Sequence, residues 1–81
     1  MELKKTIEMT PYLASAIVEG FCEGEDATFE QQILAWSYLI ETGLCWSLQG
    51  WYGRNATNLI QSGMISSKGE INWDAVYSIN D

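Results

Sequence analysis

The 81-residue chain contains no histidine, one proline and only four basic side chains against eleven acidic ones. Without histidine it lacks the commonest general base and metal ligand near neutral pH. The two cysteines, Cys22 and Cys45, cannot complete a four-ligand zinc site within one chain. They do not form a Cys-x-x-Cys pair, and each stands beside apolar neighbours. They are therefore expected as two buried thiols, with a bridge or a reactive site as the alternative. No apolar run approaches the roughly 18 residues of a membrane span, and none follows Lys4 and Lys5 as a signal peptide would require. The chain reads as cytosolic, which makes the Asn55, Ala56, Thr57 sequon a chance match. No cofactor or metal is expected.

A net charge of −7 argues against direct nucleic-acid binding, because affinity there rests on phosphate neutralisation by Lys and Arg. A helix, glycine stop, helix order with a Lys68, Gly69 turn outlines a winged helix-turn-helix. Its recognition helix would carry Arg54 alone. Glu19, Glu23, Glu25 and Asp26 cluster at the end of the first helix and in the following loop, without the alternating ligands and glycine of a calcium loop. They read as a solvated face that can steer the chain toward a basic partner surface.

Length allows one domain, residues 1–81, with a core that is marginal unless supplemented. Four Trp, four Tyr and two Phe are many rings for so small an interior. Some are expected on a binding or dimer surface, and a homo-oligomer would supply the missing burial.

Hydrophobic periodicity predicts an all-α fold: a small three-helix domain with a short C-terminal helix or hairpin. After a coil or weak strand over 3–9, Thr10 and Pro11 start a helix over about 11–23, striped by Leu13, Ile17 and Phe21. Thr28 and Gln31 form a capping box for a second helix over 28–42. Phe29, Ile33, Trp36 and Ile40 mark its buried face, widened by Leu34, Tyr38 and Leu39. Gly43 stops it, with Leu44 as the accompanying hydrophobic contact. A third helix is expected over 48–62, with Ser47 as N-cap and Tyr52, Ala56, Leu59 and Ile60 inward. Residues 39–44 and 59–64 match at a spacing of twenty, read as one helix-stop solution used twice rather than a solenoid repeat. Beyond a turn at 66–69, residues 73–79 form a short helix capped by Asn72, or a strand in which Ile71, Trp73, Ala75 and Tyr77 alternate.

The segment from Trp46 to Arg54 breaks the helical rules. Gly50 and Gly53 stand near the start of a predicted helix, where each costs about 1 kcal/mol relative to Ala. With Thr57 they fall near one face, open to another backbone or a ligand. Arg54, the sole arginine, stands beside two aromatics and can pair bidentately with a carboxylate or phosphate. Two readings follow. In one, the glycines admit close helix packing and Arg54 neutralises Glu41 or a similar neighbour. In the other, Gln49, Trp51, Tyr52 and Arg54 form a ligand- or partner-binding site.

Three strings together (residues 38–43, 46–54 and 59–63) resemble the core of a family of short tailed-phage proteins. Its pattern is Leu-Ile-x-Thr-Gly, a Trp, Leu-Gln-Gly-x-Tyr-Gly-Arg and a Leu-Ile-x-x-Gly stop. The likeness covers about residues 28–65 and implies an origin without a mechanism. A phage origin implies work in the host cytoplasm on host machinery, defence systems included. Two functions are therefore expected. One is a non-enzymatic accessory protein that binds and inhibits or redirects a host protein, such as a defence or nucleic-acid-processing factor. The other is an oligomeric sequestering protein for an anionic, nucleotide-like molecule.

Overall fold

Residues 9–78 are described by the computed structural model, the side chain of Glu23 excepted. Their order is α1 (Pro11–Glu19), a 3-10 turn (Cys22–Gly24), α2 (Phe29–Thr42), α3 (Leu44–Ser47), α4 (Gly50–Gln61) and α5 (Trp73–Ser78). The all-α expectation holds, and no strand occurs among the described residues. The lead-in expected over 3–9 lies outside them except for Met9, as does Ile79 at the expected end of the last helix.

The helix starts follow local chemistry. The Thr10 hydroxyl accepts from Leu13 N–H at 3.1 Å. At α2 the Thr28 hydroxyl accepts from Gln31 N–H, while the Gln31 side chain accepts from Thr28 N–H. Both satisfy backbone donors that the first helical turn leaves free.

The stops explain where the expected boundaries move. α1 ends at Glu19, not near residue 23, because Gly20 adopts a left-handed conformation and its N–H returns to Ala16. Phe21 then becomes extended and leaves the helical stripe, so it is exposed rather than buried with Leu13 and Ile17. The chain folds back so tightly that Gly24 lies on the backbone of Ala16 and Ile17. A Cβ built there would stand 2.2 Å from the Ala16 carbonyl oxygen. Only glycine permits that approach.

The twenty-residue match is one stop used twice. Gly43 and Gly63 sit at φ 81° and 86°. Each donates its N–H to the carbonyl three residues back, Ile40 and Ile60, at 3.1 Å in both cases. Thr42 and Ser62 each bond a preceding carbonyl and accept at 3.4 Å from the N–H of Leu44 and Met64. Beyond the glycines the copies diverge. After Gly43 the chain makes one more helical turn, which buries Cys45; after Gly63 it forms a narrow turn closed by an antiparallel bridge between Ile65 and Ile71. The C-terminal segment thus combines both expected forms, a minimal hairpin and then a helix.

The expected third helix starts two residues late, at Gly50, and a separate short helix, α3, precedes it. Ser47 does not cap it but ends α3; Leu48 is extended, and α4 begins at Gly50 behind Gln49, which makes no side-chain cap. The break reorients α4 so that Tyr52 and Ala56 face the core. That core joins Ala14 and Ile17 of α1, Ile33, Trp36, Leu39 and Ile40 of α2, Cys45, and Ile65 and Val76 from the C-terminal segment. Leu34 does not join the apolar face of α2; it is exposed, as is Phe29 at the helix start.

Gly69 seals the far side. Its carbonyl accepts from the Ser37 hydroxyl, and a Cβ there would meet Glu41 Cβ at 2.8 Å and the Ser37 carbonyl oxygen at 2.9 Å. The two cysteines also part: Cys45 is buried and burial pushes its thiol up, whereas Cys22 is exposed at φ 49°. The expectation of two core thiols fails for Cys22 because it follows the chain reversal at Gly20. Both are free, so no bridge forms. Among the described residues no helix is long and apolar enough to cross a membrane.

Candidate functional site

The break between α3 and α4 governs the surface chemistry. It turns Tyr52 inward and leaves Trp46, Leu48 and Trp51 exposed. Trp51 nonetheless belongs to an aromatic group reaching into the core. Its ring centroid lies 5.0 Å from Tyr52 at an interplanar angle of 87°, and 5.8 Å from Trp36. Trp36 and Tyr52 are 6.0 Å apart. Edge-to-face geometry of this kind aligns ring quadrupoles favourably, at about 0.5–1.5 kcal/mol per pair beyond area burial.

Tyr52 also ties α4 to α1, its hydroxyl donating to Glu19 Oε2. The phenol is pushed above its ordinary value, first by burial and then by the hydrogen bond to Glu19. The Glu19 charge adds to this, and a hydrogen bond with Ser15 opposes it. A buried phenol beside a carboxylate resists losing its proton because a second negative charge would form there without water.

Beside this tie lies an open cleft of about 320 Å³, lined by Val18, Glu19, Gln49, Trp51 and Tyr52. It unites three of the four residues expected to form a binding site with one of the four expected to steer a partner. Glu19 was expected on a solvated acidic face, and its hydrogen bond to Tyr52 draws it into the cleft. Glu25 and Asp26 remain exposed in the turn before α2. The side chain of Glu23 lies outside the described residues.

Arg54 does not join them. At roughly 100° per residue it stands about 160° around α4 from Tyr52. It lines a separate groove of about 470 Å³ with Trp46, Gly50, Gly53, Thr57 and Asn58. The expected glycine face is therefore present, though its glycines are loosely packed. A Cβ at Gly53 would make ordinary contact with Trp46 at 3.6 Å, and one at Gly50 would meet only the Arg54 guanidinium at 3.2 Å. At Gly53 the neighbour is α3, through the Trp46 ring and the Cys45 carbonyl at 3.8 Å, without the clash that close helix packing would give. Arg54 forms no ion pair with Glu41 or another acid among the described residues. Three surface contributors escaped the sequence reading of the site: Val18, Trp46 and Leu48. The signal for Trp46 and Leu48 was their place in the Trp46 to Arg54 segment that already stood out in the sequence.

Among the described residues no three or more Cys, Asp or Glu side chains gather to hold a metal ion. The family model for a domain of unknown function (DUF7417) matches residues 21–80. That span is 60 of the 81 residues, and the chain belongs to this family. The match includes Gln49, Trp51 and Tyr52 but begins after Glu19, so the family model covers one wall of the cleft. No curated protein and no solved structure matches the chain.

Proposed function

We propose that this chain is a non-enzymatic protein-binding module that docks on a basic surface of a partner protein. In keeping with the resemblance of its central strings to tailed-phage proteins, the partner is a host protein in the host cytoplasm. Docking would inhibit or redirect a defence or nucleic-acid-processing factor. The observation that carries this reading is the α3–α4 corner. Trp46, Leu48 and Trp51 are 52%, 40% and 39% exposed within six consecutive residues. Tryptophan anchors of this kind concentrate binding energy at interface centres, where truncation costs about 2 kcal/mol or more. A net charge of −7 adds attraction to a basic surface.

The sequestering alternative has less support. Its anion-binding Arg54 lines a groove apart from Trp51 and Tyr52, and the cleft that those rings do share contains the carboxylate of Glu19. A phosphate placed there would meet like charge.

Affinity capture from host lysate with mass spectrometry identifies the partner, and kinetics with the purified partner test the surface. Trp46→Ala should raise the dissociation rate at least tenfold. Charge reversal at Glu25 and Asp26 should slow association, most strongly at low salt. Unchanged kinetics in both variants would reject this surface, and a nucleotide-dependent rise in melting temperature that Arg54→Ala abolishes would favour sequestration.

A further inference from the structure

We propose that the cleft between the end of α1 and the start of α4 is a receptor for an organic cation, the guanidinium or ammonium head of a basic side chain. This deepens the docking reading by naming what the partner inserts, and it rests on that reading for the identity of the cation's bearer. The polar inventory of the cleft comes first. Glu19 is the one charged group in its lining, and a carboxylate only accepts hydrogen bonds. Its Oε2 accepts from Tyr52, and a carboxylate has lone pairs for further donors. The same bond uses the Tyr52 proton, and the phenol oxygen also bonds Ser15, so Tyr52 offers a ligand no donor. The Gln49 amide can turn either its carbonyl or its NH2 to a ligand, so the Glu19 carboxylate sets the preference, and it favours ligands that only donate, of which Arg and Lys are the side-chain examples.

The apolar lining points the same way. Trp51 is partly exposed, lines the cleft and stands near perpendicular to Tyr52, so the two rings form an aromatic corner there. A cation over an indole face is attracted by the ring quadrupole, and Trp is the strongest side chain in this role. Val18 supplies aliphatic surface for the stem of a basic side chain. A volume of about 320 Å³ is enough for one such side chain. A single carboxylate is too few ligands for a bare divalent metal ion.

The probe is N-acetyl-arginine amide, titrated into the full chain while the Trp51 indole and Tyr52 ring signals are followed by NMR. N-acetyl-citrulline amide, nearly isosteric and uncharged, is the control. The arginine probe should give saturable shifts at Trp51 and Tyr52, and the citrulline probe should bind about tenfold more weakly. Glu19→Gln keeps an acceptor for Tyr52 but removes the charge, and it should weaken the arginine probe about fivefold. Trp51→Phe retains a ring and should also weaken binding; it serves if Glu19→Gln loses its native amide spectrum. Arg54→Ala should leave the titration unchanged. Equal binding of both probes, shifts confined to Trp46, or indifference to both cleft substitutions would each overturn the proposal. Saturable arginine binding in a protein that captures no basic host partner would reject the docking reading and leave the cleft assignment standing. A captured partner whose binding ignores Glu19→Gln and Trp51→Phe would do the reverse.

Discussion

Two pairs of glycines divide this molecule. Gly24 and Gly69 lie where backbone meets backbone or a helix flank, and a Cβ at either would stand within 3 Å of a neighbour. Gly50 and Gly53 lie at the α3–α4 corner, where a Cβ would press on a flexible guanidinium that can swing away or meet the edge of an indole at ordinary range. The first pair closes the fold, while the second leaves a face uncovered. The pair that stands out in the sequence is thus the one the tertiary structure needs least, and a glycine's helix-breaking cost is a poor guide to whether it is packed.

Substitution can break this contrast. The largest effect is expected for Gly24→Ala, which drives a methyl group into the α1 backbone. We expect a loss of about 3 kcal/mol, read as a lowered denaturant midpoint; an effect below about 1 kcal/mol would mean that the 3-10 turn is free to move off α1. Gly69→Ala should cost about 2 kcal/mol by the same measurement, since it adds left-handed strain at φ 91° to the clash with Glu41 and Ser37.

Tyr52→Phe addresses the tie between the two regions and should cost about 1 kcal/mol near neutral pH through the lost bond to Glu19. Its pH dependence follows from the raised phenol. The neutral form is favoured in the folded state, so its contribution is fully present below the unfolded value of about 10 and is lost as pH rises through the higher folded value. Wild type should therefore lose stability in the alkaline range more steeply than Tyr52→Phe, as followed by circular dichroism. Parallel curves would show that the phenol titrates alike in both states.

The smallest effect sharpens the comparison most. Gly53→Ala should stabilise the chain by about 0.5–1 kcal/mol, because a helix interior gains from Ala and the Trp46 ring makes room for it. If a partner backbone seats on this face, the same substitution should weaken partner binding while raising the melting temperature. Destabilisation would instead show that Gly53 is packed like Gly24.

The starts of α1 and α2, the capping box, the repeated glycine stop and most of the α2 core were legible in the sequence. Each depends on neighbours three or four residues apart, the range over which capping bonds and helical faces operate. The break at Leu48 was not legible. One helix was expected over 48–62 after the Gly43 stop, and the extra turn at α3 arises because Cys45 and Tyr52 both reach one core from a chain that re-enters at Gly43. The site followed the same rule. Gln49, Trp51 and Tyr52 could be named together from sequence because they are neighbours on one helix entry. Arg54 could not be separated from them without knowing which flank of α4 faces α1. Nor could Glu19 be joined to Tyr52, 33 residues away, before the turn at Gly20 was placed. The sequence alone determined the helical class, the acidic charge and the residues at the α3–α4 corner. Packing decided which glycines are closed against backbone, which thiol is buried and which acid faces the cleft, because those contacts join positions far apart in the chain that no local pattern connects.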